Sequence, residues 1–405
     1  MISVAIMGHG VVGSGVAEIL TTHKQKLFAS IGEEIYVKHI LDLREFPDSP
    51  LADRFTKDFN DILNDREVRV VVEVMGGLNP AYDFVKKCLK SGKSVVTSNK
   101  ELVAAHGAEL LQIAKDENVN FLFEASVGGG IPIIRPISQC LVANIVDEIA
   151  GILNGTTNFI LTMMIEKGMS FDEALKIAQE KGYAEKDPTA DVEGHDACRK
   201  VCILASLAFG KHVYPNQVET EGITNITLED VSYIENAGGV IKLLGQIKYI
   251  NDNEIAAFVS PAVVYNGSQL ASVKDVFNAI LVRGDAVGDV CFYGPGAGKL
   301  PTASAVVADI IDCAKHSERK KIFGWGAGNE DYVVDYKERI EMPFYVRAKA
   351  TPAEINAKFS DVKFLSRKGQ PSDEVAFITD IMTENKLNKK LDGINVINTI
   401  KVTNY

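Results

Sequence analysis

The chain of 405 residues has little of what marks several protein classes. Its six cysteines, at positions 88, 140, 198, 202, 291 and 313, form no C-x-x-C pair and show no zinc spacing. A zinc-ribbon fold and a disulfide scaffold are thereby excluded, and a reducing cytoplasm is the expected compartment. Cys198 and Cys202 stand one helical turn apart and read as small buried side chains. No apolar run approaches the roughly 18 residues needed to cross a bilayer. The opening segment Met1-Ile-Ser-Val-Ala-Ile-Met lacks a basic region and a small-residue cleavage site, so it reads as a first strand and not as a signal peptide. Positive charge is also short. The 43 Lys and Arg against 54 Asp and Glu leave a net charge of -11, which argues against nucleic acid or an anionic membrane as partner. A small anionic substrate is compatible, because one site can be basic on an acidic protein.

What is present is patterned. Over residues 1–130, short β-branched runs (3–7, 35–41, 70–74, 94–97 and 120–125) alternate with helical stretches such as 11–22 and 80–90. Strands alternating with helices predict a doubly wound α/β sheet, and 70–74 is apolar throughout, as a buried parallel strand should be. Residues 131–316 read as an α+β region, ending in a glycine-rich loop at 294–301 and a helix over 302–315 that is expected to pack back on the first domain. Residues 317–340 are charged and glycine-spotted, which predicts a linker. Residues 341–405 give a β-α-β-β-α-β order: strands 344–349, 362–366, 374–381 and 396–402, with helices 352–359 and 384–391. That order is ferredoxin-like.

Gly8-His-Gly10-Val11-Val12-Gly13 is G-x-G-x-x-G placed directly after a strand and opening a helix. Glycine allows the tight turn, the approach of backbone to a pyrophosphate and close helix–strand packing. The helix start then offers the phosphates unpaired N–H groups and its positive dipole end. A nicotinamide dinucleotide is the expected cofactor. The second strand ends at Asp42, which suits a ribose 2′-hydroxyl and favours NAD, whereas Arg44 suits the 2′-phosphate of NADP.

Four further segments carry a family resemblance: Val95-Val-Thr-Ser-Asn-Lys100, Phe123-Glu-Ala-Ser-Val-Gly-Gly-Gly-Ile-Pro132, Gly151-Ile-Leu-Asn-Gly-Thr-Thr157, and the run from Tyr183 to Lys200 that contains Glu185, Asp191, His195 and Asp196. Together with residues 294–304 and the glycine motif, they resemble homoserine dehydrogenases over roughly residues 1–316. The resemblance implies NAD(P)-dependent interconversion of L-aspartate 4-semialdehyde and L-homoserine, in the biosynthesis of threonine, methionine and isoleucine. It assigns Lys100 and Lys200 to proton transfer and to polarising the reacting oxygen. Substrate falls to Glu185, Asp191 and Asp196, with Gly155, Thr156 and Tyr183 beside them. Gly76, Ser98 and Gly298 join the glycine motif as cofactor contacts. It also implies a sodium-type ion on the backbone carbonyls of Glu124, Val127, Gly129 and Ile131, and a homodimer or higher homo-oligomer paired through an extended sheet.

The chemistry agrees with the resemblance. Hydride delivery to an aldehyde builds an alkoxide, which needs a proton donor or a cation beside it. Lys100 follows a parallel strand at the edge where open α/β sheets bind ligands. Asp196 and Lys200 are four residues apart in the helical stretch 195–209 and share one face. His195 and His9 read as structural. Residues 341–405 look like an ACT domain, but Thr351-Pro352-Ala353 stands where effector-binding ACT domains carry Asp-x-Pro-Gly. An assembly role is the expectation for this module, and the chain reads as monofunctional. Two other readings remain: a non-catalytic nucleotide or amino-acid sensor, and a reductase of another amino-acid semialdehyde. No cysteine sits where a thiohemiacetal nucleophile would be expected, which counts against an acyl-phosphate-reducing enzyme.

Overall fold

Strands built from consecutive Val and Ile are apolar on both faces, and helices cover both faces here. The computed structural model describes residues 1–318, 320–403 and 405. By contacts the chain forms two compact units, one of residues 1–144, 202–215 and 294–329, the other of residues 145–201, 216–293 and 330–405.

The first unit holds a six-stranded parallel sheet in the order Phe55–Thr56, Ile35–Leu41, Ile2–Met7, Val68–Glu73, Ser94–Thr97, Phe121–Leu122. The order reverses between Ile2–Met7 and Val68–Glu73, where Met7 lies opposite Glu73; in open α/β sheets the carboxyl ends at such a switch point are where ligands bind. Val4, Ile6, Val72 and Val96 are buried against Val16 and Leu20 of helix Val11–Thr22 and against Val306 and Ile310 of helix Lys299–Lys315. Burial of each such side chain contributes about 1.5–3 kcal/mol.

Two local expectations shift. The stretch 120–125 is a strand only at Phe121–Leu122 and then turns into the 3-10 segment Glu124–Ser126. Tertiary bonding decides this: the Glu124 carboxylate accepts from the N–H groups of Ile133 (2.7 Å), Ile134 (2.8 Å) and Arg135 (3.0 Å), and its own N–H donates to Asp309 (2.8 Å). The helix expected from 302 starts at Lys299, because Pro301 is tolerated in a first helical turn.

The second unit is built on a ten-stranded mixed sheet. Gly239–Asn251 and Glu254–Tyr265 form a long antiparallel hairpin, Val146–Ile152 pairs with the first of these, and Phe277–Gly284 pairs with Val146–Ile152. On the other side, Asn395–Thr403 joins Glu254–Tyr265 in parallel, with Ala262 opposite Lys401. It is followed in space by Phe344–Lys349, Glu374–Thr379 and Val362–Leu365, with helices Pro352–Lys358 and Glu384–Leu391 between the strands in sequence. Thr351 caps the first of these helices: its side chain accepts from Glu354 N–H while the Glu354 carboxylate accepts from Thr351 N–H (2.7 Å). Residues 317–340 carry the buried aromatics Trp325, Tyr332 and Tyr336 and the short helix Tyr336–Arg339. Among the described residues, no helix is long and apolar enough to cross a membrane.

Candidate active site

In the first unit the glycine motif closes a turn between Met7 and the helix at Val11. Gly8 has φ +101° and donates its N–H to Leu41 O at 2.8 Å. A Cβ on Gly13 would lie 1.9 Å from Gly8 O, so only glycine allows the helix to leave the strand this closely. Gly10 is the helix N-cap and makes no side-chain cap, and a Cβ built on it would meet nothing within 4 Å. The first turn, beginning Val11-Val12-Gly13, holds no acidic residue. Its leading N–H groups lack partners within the helix, and the space around a Cβ at Gly10 is open. That geometry fits a dinucleotide pyrophosphate.

Asp42 sits just past the second strand and accepts from His9 N–H (2.8 Å), from Arg44 N–H (3.0 Å) and from the Arg44 guanidinium (2.9 and 3.0 Å). These bonds, the guanidinium foremost, hold its carboxyl well below the usual range. The His9 ring packs edge-on against Phe46 and Phe55 at 4.8 and 5.0 Å, in keeping with a structural role.

At the switch point the buried carboxylate of Glu73 accepts from Met75 N–H (2.8 Å) and Thr97 Oγ1 (2.6 Å), and more weakly from Gly76 N–H (3.4 Å). Burial pushes its carboxyl up. Ser98 N–H reaches Glu73 O at 3.4 Å. Asn99 caps helix Lys100–Asp116 by accepting from Leu102 N–H (3.1 Å), and its amide donates to Gly77 O (2.6 Å). Lys100 is the first helical residue. A cation at the positive end of a helix dipole gains nothing from the helix, so helix stability does not account for this lysine.

The three-glycine turn is tight, with φ +72° at Gly128 and +54° at Gly129, and it is closed by Ile131 N–H to Gly128 O (2.8 Å). It presses on the loop before helix Lys299–Lys315. Gly130 N–H bonds Pro295 O (3.1 Å), and a Cβ on Gly129 would fall 2.3 Å from Gly296 O. Gly298, at φ +121°, is the N-cap of that helix.

In the second unit strand Val146–Ile152 runs through Leu153 to Asn154, the N-cap of helix Gly155–Lys167. Asn154 Oδ1 accepts from Thr157 N–H (2.9 Å), while its amide nitrogen donates to Asp191 (2.7 Å) and Asp196 (2.9 Å). Lys200 Nζ donates to Asp196 Oδ2 at 2.7 Å and to Leu153 O at 2.6 Å. Both members of this ion pair are buried, with side chains 10% and 7% exposed. A buried ammonium held by a carboxylate, a backbone carbonyl and a shared amide network is not a solvated surface lysine. Thr156 Oγ1 donates to Tyr183 O (2.7 Å), and Gly155 lies against Val276 O, where a Cβ would come within 2.7 Å.

The structure therefore brings Gly155, Thr156, Tyr183, Asp191, Asp196 and Lys200 into one neighbourhood. Glu185 is exposed, and its backbone carbonyl accepts from Gln179 at 3.1 Å. Asn154, Glu73 and Asn99 were not singled out from the sequence. Asn154 and Asn99 carry a signal in the N-cap preference for Asn before a helix, whereas Glu73 carries none that distinguishes it from other acids.

A parallel sheet with this turn at its switch point in the first unit, and a buried Lys–Asp pair in the second, are together the marks of a nicotinamide-dependent oxidoreductase of the α/β class. Comparison with known proteins narrows it. Residues 8–124 match the homoserine dehydrogenase NAD-binding domain, and residues 132–311 match the homoserine dehydrogenase family model. The homoserine dehydrogenase of Bacillus subtilis is 42% identical over 78% of this chain and 73% of its own, and that of Corynebacterium glutamicum 41% over 81% and 74%. A crystal structure of a homoserine dehydrogenase from Thiobacillus denitrificans superposes with a TM-score of 0.89 at 35% identity, covering 100% of this chain and 98% of that one. A hyperthermophilic archaeal homoserine dehydrogenase, solved in complex with NADPH, matches at TM-score 0.65 and 27% identity over 77% and 97%. The chain belongs to the homoserine dehydrogenase family. It is an oxidoreductase acting on a CH–OH group with NAD(P), interconverting L-aspartate 4-semialdehyde and L-homoserine.

Proposed function

We propose that the buried Lys200–Asp196 pair is the proton-handling centre of this dehydrogenase, and that this observation carries the assignment of roles. Bound nicotinamide supplies the hydride in reduction and takes it in oxidation. Lys200 holds the proton that the new alkoxide needs, and Asp196, joined to it at 2.7 Å, keeps the ammonium in place. Lys100 joins Lys200 in proton transfer and in polarising the reacting oxygen, the roles that the resemblance implies for the two lysines together. Asp191 and Asp196, oriented by the Asn154 amide, hold the substrate ammonium, with Glu185 approaching from its exposed loop and Gly155, Thr156 and Tyr183 shaping the site.

Gly8, Gly10, Val11, Val12 and Gly13 hold the pyrophosphate, with Gly76, Ser98 and Gly298 as further contacts, and Asp42 favours NAD while Arg44 admits NADP. The tight turn at Gly128 and Gly129, pressed on Gly296, suits a sodium-type ion on the carbonyls of Glu124, Val127, Gly129 and Ile131. We read residues 1–130 as the NAD(P)-binding domain and 131–316 as the substrate and dimerisation domain. Residues 317–340 connect these to an ACT-like module at 341–405, a reading supported by its strand order. Thr351 is committed to a helix cap, which leaves its side chain engaged within the helix start and counts against effector binding. A cytoplasmic homodimer or higher homo-oligomer is the expected form.

The test is homoserine-dependent reduction of NAD and of NADP at alkaline pH, with wild type and Lys200→Ala. Lys200→Ala should lower kcat by about a hundred- to ten-thousandfold while cofactor affinity is kept. A kcat within threefold of wild type would remove Lys200 from the chemistry.

A further inference from the structure

The amino edge of the parallel sheet, opposite the edge that carries the glycine turn, holds a cavity of about 850 Å³. Its floor is made by the first residues of three strands, Ile2, Val68 and Ser94. Four cations line it, Arg66, Arg69, Lys93 and Lys320, against a single lining carboxylate, that of Glu117. On a chain of net charge -11 this concentration of positive charge is local and opposite in sign to the whole.

Among the described residues, none of the four cations has a carboxylate within ion-pair distance. Lys93 is the sharpest case. It is 5% exposed, and its ammonium donates to the carbonyls of Asp65 (2.5 Å) and Val68 (3.3 Å). The nearby Asp65 carboxylate is engaged by Lys38 (2.6 Å) and His39 (2.8 Å). A buried ammonium hydrogen-bonded to neutral carbonyls is electrostatically costly, and burial lowers its pKa, with Cys88 and Asp65 offsetting part of the effect. Burial lowers that of Lys320 as well, with Arg69 adding repulsion. An anion in the cavity would offset the burial of Lys93 and Lys320 and would also be met by the exposed Arg66 and Arg69.

We propose that this cavity is a second ligand site, distinct from the cofactor and substrate sites, for a small polyanion carrying phosphate groups or clustered carboxylates. The volume lies within the range of small-molecule sites, roughly 300–1,000 Å³. Arg66 and Arg69 offer planar donor forks that match oxyanions, with Lys93 a fixed charge at the floor.

The experiment is calorimetric titration of the intact enzyme, with the cofactor site saturated by NADP, at constant ionic strength. Inorganic pyrophosphate and citrate are the probes. One equivalent per chain should bind, and tighter binding of pyrophosphate or of citrate assigns the phosphate or the polycarboxylate class. The exposed double variant Arg66→Glu/Arg69→Glu should weaken binding by about tenfold or more and leave KM for NADP unchanged. Lys93→Met, if it folds, should weaken it too; the surface variant decides the matter if it does not. Absence of a saturable isotherm for both probes, equal affinity in the double variant, or full displacement of the probe by NADP would each overturn the site.

Discussion

The cofactor turn of the first unit is made of backbone, and the substrate network of the second is made of side chains. From Gly8 to Gly13 the working groups are N–H donors fixed by a helix start, and the only demand on side chains is that none intrude: a Cβ at Gly13 would stand 1.9 Å from Gly8 O. Around Lys200 the working group is a buried charge, held by Asp196 at 2.7 Å and Leu153 O at 2.6 Å. Helix dipoles and amide donors are carried by the fold itself and persist whatever the neighbouring side chains are. A buried ammonium persists only while its particular partners do. The first half should thus break by addition of an atom, and the second by removal of one.

Gly13→Ala tests the first statement most severely. Backbone cannot yield as a side-chain tip can, so the loss should reach about 3 kcal/mol, or about a hundredfold in NADP affinity. Hydrogen exchange across Gly155–Lys167 in the second unit should stay at its wild-type rate; a change there would mean that the two halves are not separable.

Acid should discriminate between the units at similar magnitude. His212 is buried in the first unit, with Nδ1 accepting from Trp325 Nε1 (3.0 Å) and Nε2 donating to Ala104 O (3.0 Å). Burial depresses its pKa from 6.5 to about 4, so the folded state binds fewer protons than the unfolded one. Its contribution is intact above about pH 6.5 and is lost as pH falls towards 4, by about 3 kcal/mol. The single tryptophan, Trp325, reports on this unit directly. Fluorescence-monitored urea unfolding should show that loss in wild type and not in His212→Gln.

Asn154→Ala removes an amide shared by two carboxylates and a helix cap together. A loss of about 2 kcal/mol in stability is expected, with a fall in kcat/KM for homoserine and an unchanged KM for NADP. Equal effects on both substrates would contradict the division of labour. Arg44→Ala should have the smallest effect. With the guanidinium gone, Asp42 faces a 2′-phosphate unshielded, and kcat/KM for NADP should fall about fivefold relative to NAD. A shift towards NADP would reverse the roles given to the pair.

Much of this was legible in advance because it is local. The glycine motif, the strands Ile35–Leu41 and Ser94–Thr97 and the helices Val11–Thr22 and His195–Phe209 follow from periodicity and from residues a few positions apart. Asp196 and Lys200 were legible as a pair for the same reason, one helical turn. Glu73 was not, since its importance lies in Thr97 Oγ1 and Met75 N–H, which meet it only once neighbouring strands are paired. The early end of strand Phe121–Leu122 was hidden likewise, because Glu124 is turned inward by the amides of Ile133 to Arg135 and by Asp309.

By itself the sequence determined the class of fold, the dinucleotide turn, the family and the Asp–Lys spacing, all set by short-range geometry and composition. The tertiary structure alone decided the burial of Lys200 and the convergence of four cations on the amino edge of the sheet. Those depend on which distant backbone and side-chain groups are brought together in space, and spacing along a chain does not encode that.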